Sequence, residues 1–203
     1  MQEIFENDYK IVLPDFYPQQ YEFEKMTVTY LLDKVDTWID FVDDSLILIG
    51  SSFGGLMATR FLQLINPIPS KIKGLILLAP ALNYYNVLKE RTPNLEWQDW
   101  KEKGYQVVNH PAYNNKTMWR WDFVDDLKKN HSPMLEPINI PTLIIHGEED
   151  DVIPVDNTKM FLSQIPQTDK KIEVRFIKEG NHTLSNVTEE VFKIIRKWLE
   201  NIV

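Results

Sequence analysis

The sequence predicts an α/β protein with a mostly parallel central sheet and helices on both faces, and three observations support this. Apolar runs without polar alternation recur along the chain at residues 45–49, 72–79 and 142–146, and a further strand is predicted at 172–177. Strands that are buried on both faces of a parallel sheet have this pattern. Between the runs, apolar residues recur every three or four positions, which is typical of helices. The third observation is a glycine-rich break where the first run stops and helical spacing begins, Gly50-Ser51-Ser52-Phe53-Gly54.

Two short pieces and a long helix are predicted before this break. Residues 2–7 have the pattern of the last turn of a helix, and residues 9–13 have that of a buried strand closed by Pro14. From residue 22 to residue 42, apolar side chains recur mostly at spacings of three and four. We therefore expect one long amphipathic helix there, followed by the strand at 45–49.

The alternation of strands and helices continues after the break. Asn66-Pro67 ends a predicted helix at 56–65, and Pro80 ends the strand at 72–79. Later in the chain the predicted elements are a strand at 142–146, a helix at 155–164, a strand at 172–177 and an amphipathic helix at 188–202. Because no linker rich in Gly, Ser or Pro divides the sequence, we expect residues 1–203 to form a single domain.

An insertion at residues 82–140 interrupts the alternation. It contains short helical patterns at 95–103 and 123–130 and four of the six tryptophans, Trp97, Trp100, Trp119 and Trp121. Insertions of this size in a compact fold are commonly functional or form a small cap. We expect a small helical lid whose four indoles line an apolar substrate pocket. The alternative is that these aromatic residues only fix the insertion to the edge of the sheet.

Composition narrows the possible functions. The formal net charge is −8 and no basic cluster stands out, which argues against nucleic acid or an anionic membrane as a partner and favours a small-molecule substrate. The absence of cysteine excludes disulfides and thiolate metal sites and suits a reducing compartment. The first residues show no signal-peptide pattern, and no apolar run approaches the ~20 residues that cross a bilayer. We therefore expect a cytoplasmic protein.

The glycine-rich break has the spacing of a nucleophile elbow. Residues 50–54 fit G-x-S-x-G with Ser52 in the middle, a turn so tight that the serine adopts strained dihedral angles and projects its hydroxyl above the sheet. We expect Gly50 and Gly54 to be glycines because a Cβ at either position would collide with the turn. The following helix would direct its positive end at an anion formed there. The alternative is a plain strand–turn–helix packing corner.

Two later loops supply the acid and the base that a serine nucleophile requires. The loop at 146–154 contains an acidic run, and Gly180-Asn181-His182 follows the next strand. The carboxyl ends of parallel strands meet at one edge of the sheet, so both loops should lie near Ser52. Within the first loop, we expect His146 to pack beneath the acidic run. The acidic run itself has no partner at metal-ligand spacing, so we expect a charged turn rather than a metal site.

The chain resembles the α/β-hydrolase superfamily, in particular its small single-domain carboxylesterases and acyl-thioesterases. The resemblance rests on residues 50–55, on the loop at 146–154 and on residues 180–182, and it spans nearly the whole order of strands and helices. The tract 97–104 and residues 123–126 also resemble the cap of small bacterial esterases and of a mitochondrial acyl-protein thioesterase group.

The resemblance implies a role for each site residue. In that superfamily the H-G-x-x-D-x-x-x-P loop carries the triad acid, and Asp150 meets both spacings whereas Asp151 meets neither. Ser52 would attack the acyl carbon, His182 would move the proton, and Asp150 would orient the imidazole. The N–H of Phe53 would donate to the oxyanion. This predicts a serine hydrolase of esters or thioesters that needs no cofactor or metal. The alternative is a non-catalytic binding protein on the same scaffold.

The resemblance also raises an expectation about the beginning of the chain. In the superfamily, a further strand lies between the counterpart of residues 9–13 and that of residues 45–49, and the loop after it gives a second oxyanion donor. Either residues 9–13 pair directly with 45–49, or Met1 is an internal methionine that roughly thirty residues precede. One of the two must hold, because an open gap in the sheet would leave main-chain groups without partners. We expect the second, because residues 2–7 have the pattern of a helix end without a start and Ser52 would otherwise lack its second oxyanion donor.

Overall fold

A computed structural model describes residues 8–16, 19–110, 115–131, 138–164 and 171–202. The helices and strands, in chain order, are α1 (Gln20–Glu24), α2 (Val28–Phe41), β1 (Leu46–Ser51), α3 (Phe53–Leu64), β2 (Ile72–Leu78), α4 (Tyr84–Arg91), α5 (Asn94–Lys103), β3 (Tyr105–His110), β4 (Asn115–Arg120), α6 (Trp121–Asp126), a π-helical turn (Leu127–His131), β5 (Thr142–Gly147), α7 (Asp156–Ser163), β6 (Ile172–Ile177), a 3₁₀ turn (Ser185–Val187) and α8 (Thr188–Leu199).

The main sheet is parallel, as the sequence predicts, with the strand order β1-β2-β5-β6. All six residues of β5 are buried, which explains why this run contains almost no polar side chain. One apolar cluster joins β2 to α2 and α3, through residues such as Leu75, Leu31 and Leu56. A second cluster joins β2 and β5 to α8. The sheet is therefore covered by helices on both faces, which confirms the predicted fold class.

The single helix predicted for residues 22–42 is wrong, because α1 ends at Glu24 and α2 begins at Val28. Thr27 has extended dihedral angles, and its hydroxyl accepts a hydrogen bond from the N–H of Tyr30 at 3.0 Å. It therefore caps α2, which favours a new start at this position. Apolar periodicity misses the break because Phe23 and Met26, on its N-terminal side, are both buried in the same core as α2.

The strand predicted for residues 9–13 is also wrong, since residues 9–15 have no regular secondary structure. Tyr9 and Ile11 instead pack against the apolar cluster of α8, while Leu13 is 75% exposed. The apolar pattern of residues 9–13 therefore reflects the burial of some of their side chains and not the pairing of a strand. Among the described residues, β1 pairs with β2 alone, so the alternative in which 9–13 pairs directly with β1 is not found. The predicted helix end at 2–7 lies outside the described residues.

The insertion between β2 and β5 contains α4, α5, an antiparallel β3–β4 hairpin, α6 and the π-helical turn, and we call this segment the cap. The helix predicted at 95–103 is found as α5, and the pattern at 123–130 corresponds to α6 and the turn. The sequence analysis missed α4 and the hairpin.

The cap is fixed to the helices beneath it. The carboxylate of Asp126 accepts hydrogen bonds from the N–H and the hydroxyl of Thr29, at 2.9 and 2.7 Å. The guanidinium of Arg60 donates to the carbonyl of Asn130 at 2.8 Å. Trp100 and Phe123 of the cap belong to the same apolar cluster as the sheet. The cap is therefore packed on the sheet and not held by its ends alone.

Across the described ranges, no helix has both the length and the apolar character that a membrane span would need.

Candidate active site

Ser52 occupies a strained turn between β1 and α3. Its dihedral angles are φ 51° and ψ −120°, a conformation that costs free energy for a residue with a side chain and occurs mainly where neighbouring contacts enforce it. Here the Ser52 N–H donates to the carbonyl of Leu78 at 2.8 Å. The Ser52 carbonyl accepts from the N–H groups of Gly55 and Ala81, at 2.9 and 3.0 Å. Main-chain hydrogen bonds on both sides thus hold the strained residue in place.

Two glycines, Gly50 and Gly55, allow the turn to close, and the sequence analysis predicted only the one at position 50. A Cβ on Gly50 would lie 2.5 Å from the carbonyl oxygen of Gly54, and a Cβ on Gly55 would lie 2.7 Å from the Cβ of Pro80. By contrast, a Cβ on Gly54 would meet nothing within 4 Å. The predicted collision at Gly54 is therefore wrong, because it is the carbonyl of Gly54 that approaches Gly50.

The structure brings Ser52, His182 and Asp150 into one hydrogen-bonded chain. The Nε2 atom of His182 lies 2.8 Å from Oγ of Ser52, and its Nδ1 atom lies 2.8 Å from Oδ2 of Asp150. The Asp150 side chain is fully buried, whereas that of His182 is 16% exposed. Because Nδ1 faces a carboxylate, Nδ1 carries the proton in the neutral imidazole and Nε2 is free to accept one from the serine.

The loops that carry Asp150 and His182 contact each other through their main chains. The N–H of Glu149 donates to the carbonyl of Gly180 at 3.1 Å. A Cβ on Gly147 would lie 2.0 Å from that same carbonyl oxygen, so no other residue fits there without moving the backbone. The separation between the acid and the base is therefore set by glycine-to-glycine contact.

Asp151 lies outside this arrangement. It is exposed, and its main-chain carbonyl accepts a hydrogen bond from the guanidinium of Arg91. Over the part of the chain that the structure describes, no group of three or more His, Asp or Glu side chains is placed to hold a metal ion.

His146 packs beneath the acidic run as expected, but its contact with the acid was not predicted. It is fully buried, and its Nε2 atom lies 3.1 Å from Oδ2 of Asp150 and 2.9 Å from the carbonyl oxygen of Ile153. Its Nδ1 atom lies 2.8 Å from the hydroxyl of Thr158. Burial lowers the pKa of His146, because an imidazolium would lose its hydration there. The only signal in the sequence is that His146 and Asp150 are four residues apart.

Phe53 presents both a main-chain donor and an aromatic ring at the nucleophile. It is the first residue of α3, so its N–H has no acceptor within the helix. Its ring contacts those of Tyr84 and Phe123, with centroids 5.3 and 5.6 Å apart. Burial raises the pKa of Tyr84, which keeps that phenol neutral. The residue after Ser52 therefore belongs to a cluster of aromatic rings.

The four predicted tryptophans pack against one another in the cap. Trp100 lies 5.0 Å from Trp119 and 5.4 Å from Trp121, and Trp97 lies 5.0 Å from Trp121, as measured between ring centroids. Trp100 is 1% exposed and Trp121 is 9% exposed. These two indoles form the interior of the cap and have almost no surface for a ligand, so they fit the alternative in which aromatics fix the insertion. For Trp97 and Trp119, which are only half-buried, contact with substrate stays a prediction.

The fold and the arrangement of Ser52, His182 and Asp150 define an α/β hydrolase. Residues 27–203 match the model of the prolyl oligopeptidase family. The chain belongs to that family.

The individual proteins and structures to which the chain is similar include hydrolases and lipases by name. A protein of Mycoplasma pneumoniae that is provisionally named esterase/lipase 3 is 24% identical over 76% of this chain and 63% of its own. A hydrolase structure from Agrobacterium vitis has a TM-score of 0.72 and 20% identity, covering 87% of this chain and 70% of its own. The Paleococcus ferrophilus monoacylglycerol lipase has a TM-score of 0.66 and 18% identity, covering 88% and 77%. At such identities the structural similarities support the fold alone, and this chain spans 63% of the length of its Mycoplasma relative.

The two glycines at 50 and 54 give a direct test of the elbow geometry. We expect Gly50→Ala to lower the free energy of unfolding by about 2–3 kcal/mol or more, because the added methyl overlaps main-chain atoms. Gly54→Ala, in the first turn of α3, should be neutral or stabilising by about 0.5–1 kcal/mol. Thermal unfolding of both variants would measure this. Equal losses in the two variants would contradict the geometry.

Proposed function

We propose that this protein is a serine hydrolase that cleaves carboxylic esters or thioesters of small, apolar substrates through an acyl-enzyme on Ser52. The observation that carries the proposal is the hydrogen-bonded chain from Asp150 through His182 to Ser52, with the serine on a strained elbow at the carboxyl edge of a parallel sheet. A serine with a purely structural role would not require these strained dihedral angles. The free-energy cost of the strain therefore points to a functional role for Ser52.

The reaction follows from the proton positions. As Oγ of Ser52 attacks the acyl carbon, its proton passes to Nε2 of His182, and the carbonyl oxygen becomes an oxyanion. The imidazolium is stabilised by the buried carboxylate of Asp150 and then returns the proton to the departing alcohol or thiol. A water molecule repeats the sequence on the acyl-enzyme, which releases the carboxylic acid and restores Ser52.

The oxyanion would be stabilised at the start of α3. The N–H of Phe53 follows the nucleophile directly, and the positive end of the helix adds to its effect. Hydrolases of this class use a second donor from another loop. The alternative is a non-catalytic binding protein on the same scaffold, and the test below separates the two.

The substrate class is inferred from the surroundings of the nucleophile. The rings of Phe53 and Tyr84, which are half-buried, contact each other and the buried ring of Phe123 there, and apolar rings at a site favour apolar acyl or aryl groups. The formal charge of −8 disfavours nucleic acid and anionic surfaces as partners. The Mycoplasma relative is named as an esterase/lipase, which agrees with ester cleavage.

Removal of the nucleophile tests the mechanism. Ser52→Ala should lower the rate on short p-nitrophenyl esters by about 10⁴-fold or more and abolish labelling by a fluorophosphonate probe. Ser51→Ala is the matched control, because Ser51 is the exposed neighbour in the same turn, and it should keep both properties. If the wild-type protein is not labelled and turns over neither esters nor thioesters, it is a binding protein. Cleavage of prolyl peptides without ester cleavage would place it with peptidases.

Substitution of the two adjacent aspartates tests which of them is the acid of the triad. Asp150→Asn should lose most of the rate, because an amide in place of the carboxylate favours the wrong tautomer of His182. Asp151→Asn should change kcat/KM less than about twofold, because Asp151 is exposed and lies outside the hydrogen-bonded chain. Steady-state kinetics on one ester measures both. Equal losses would remove the assignment of Asp150.

A series of acyl chain lengths tests the proposed substrate class. We expect kcat/KM for p-nitrophenyl esters to rise from acetate to medium-length acyl groups, since each methylene that is buried contributes about 0.8 kcal/mol of transfer free energy. Tyr84→Ala should flatten this rise, because it removes one ring of the apolar surface beside Phe53. A profile that favours acetate and falls with every added methylene would contradict an apolar acyl site.

A further inference from the structure

We propose that His146 is a positioning residue of the catalytic machinery, which holds the carboxylate of Asp150 from beneath through its Nε2–H group. The inference rests on the proposed function, since it concerns the acid of the same triad. It extends that function to a second histidine that touches neither Ser52 nor the substrate in the mechanism above.

Each of the two carboxylate oxygens of Asp150 has two hydrogen-bond partners. Its Oδ1 atom accepts the N–H groups of Val152 and Ile153, at 2.9 and 2.8 Å. Its Oδ2 atom lies 2.8 Å from Nδ1 of His182 and 3.1 Å from Nε2 of His146. A carboxylate has about four lone-pair positions, so His146 fills the last one. It shares that oxygen atom with the catalytic base.

The surroundings of His146 fix its tautomer. Two acceptors face Nε2, namely Oδ2 of Asp150 and the carbonyl oxygen of Ile153. Neither of them carries a hydrogen, so Nε2 must carry one. The atom that faces Nδ1 is the hydroxyl of Thr158, which can donate. Thr158 lies in α7 and is fully buried, and donation from its hydroxyl to Nδ1 agrees with the tautomer that the two acceptors at Nε2 require.

His146 acts on the acid as a neutral dipole. The titratable groups that face it are Asp150 in its own loop and His182 in the neighbouring loop, while α7 contributes the uncharged Thr158. Burial lowers the pKa of His146, so the ring donates to the carboxylate without adding a second positive charge beside the imidazolium of His182. During the reaction, the positive charge on His182 is therefore paired with the carboxylate of Asp150 and is not opposed by a second positive charge on His146.

Two effects follow if the donor is removed. Oδ2 would lose one of its two partners, so the carboxylate and the imidazole it orients would be held less tightly, which lowers the rate of the chemical step. The carboxylate would also become a stronger acceptor and would favour the protonated form of the catalytic base. The acid limb of the pH profile should therefore move to higher pH.

The experiment compares His146→Leu with His146→Gln, and expresses kcat per site titrated with a fluorophosphonate. His146→Leu should lower kcat about tenfold, the effect of one charge-assisted hydrogen bond, while KM changes less than about twofold. The pH at half-maximal kcat/KM on the acid side should rise. His146→Gln places an amide donor near the position of Nε2 and should recover kcat to within about threefold. A His146→Leu variant that unfolds at lower temperature but keeps the kcat per site and pH profile of the wild type would overturn the proposal.

Thr158 offers a second arm in case His146→Leu does not fold. Thr158→Val removes the hydroxyl without a change of size and should lower kcat about threefold with the same upward shift of the acid limb. Thr158→Ser should restore both. Equal values for the Val and Ser variants would count against the proposal.

A measurement that needs no activity separates this proposal from the proposed function. In [¹⁵N]histidine spectra, His146 should keep the Nε2–H tautomer across the pH range in which the rate falls. The Nδ1–H tautomer would overturn the positioning role even in an active enzyme. A wild-type protein with the expected tautomer but without labelling at Ser52 would overturn the proposed function, and the positioning role of His146 with it.

Discussion

Contact of main chain with main chain at the carboxyl edge of the sheet is the constraint on which the site depends. At the elbow, Gly50 approaches the carbonyl of Gly54 so closely that a Cβ would lie 2.5 Å from it, and Gly147 approaches the carbonyl of Gly180 in the same way. The first contact allows the strained turn at Ser52, and the second brings the loop of the acid against the loop of the base. These two contacts fix the positions of the side chains of the site. Two main-chain segments in van der Waals contact cannot shift past each other as a side chain can.

The parts of the fold that the sequence could predict are those governed by local rules. Strands such as β2 and β5 are buried on both faces, so their apolar runs carry the information directly. The elbow could be found because the spacing of Gly50, Ser52 and the residues after it is a requirement of the turn itself. The choice of Asp150 over Asp151 follows from the loop spacing that the family resemblance implies, and the structure places Asp150 in contact with His182.

The rest depends on partners that a single sequence does not show. Half-buried and exposed residues alternate along Tyr105–His110, but polarity does not follow burial, because Tyr105 and Val107 are exposed and Gln106 is half-buried. The sequence of β3 therefore lacks the alternation of apolar and polar residues that indicates a strand. The segment at 9–13 has the residues of a strand but no strand pairing in the structure, since propensity alone cannot create one. The contact between His146 and Asp150 depends on how two side chains of one loop are directed, and spacing does not encode that.

The packing of the cap tryptophans has a spectroscopic consequence. Four of the six indoles of the chain lie in one cluster, with ring centroids between 5.0 and 6.0 Å apart and planes that are tilted or nearly perpendicular. Chromophores fixed at such distances and angles couple strongly, and near-ultraviolet circular dichroism of aromatic side chains depends on fixed tertiary packing. The remaining two, Trp38 and Trp198, lie in helices on the two faces of the sheet. The near-ultraviolet spectrum of the unlabelled protein should therefore report mainly on whether the cap is packed.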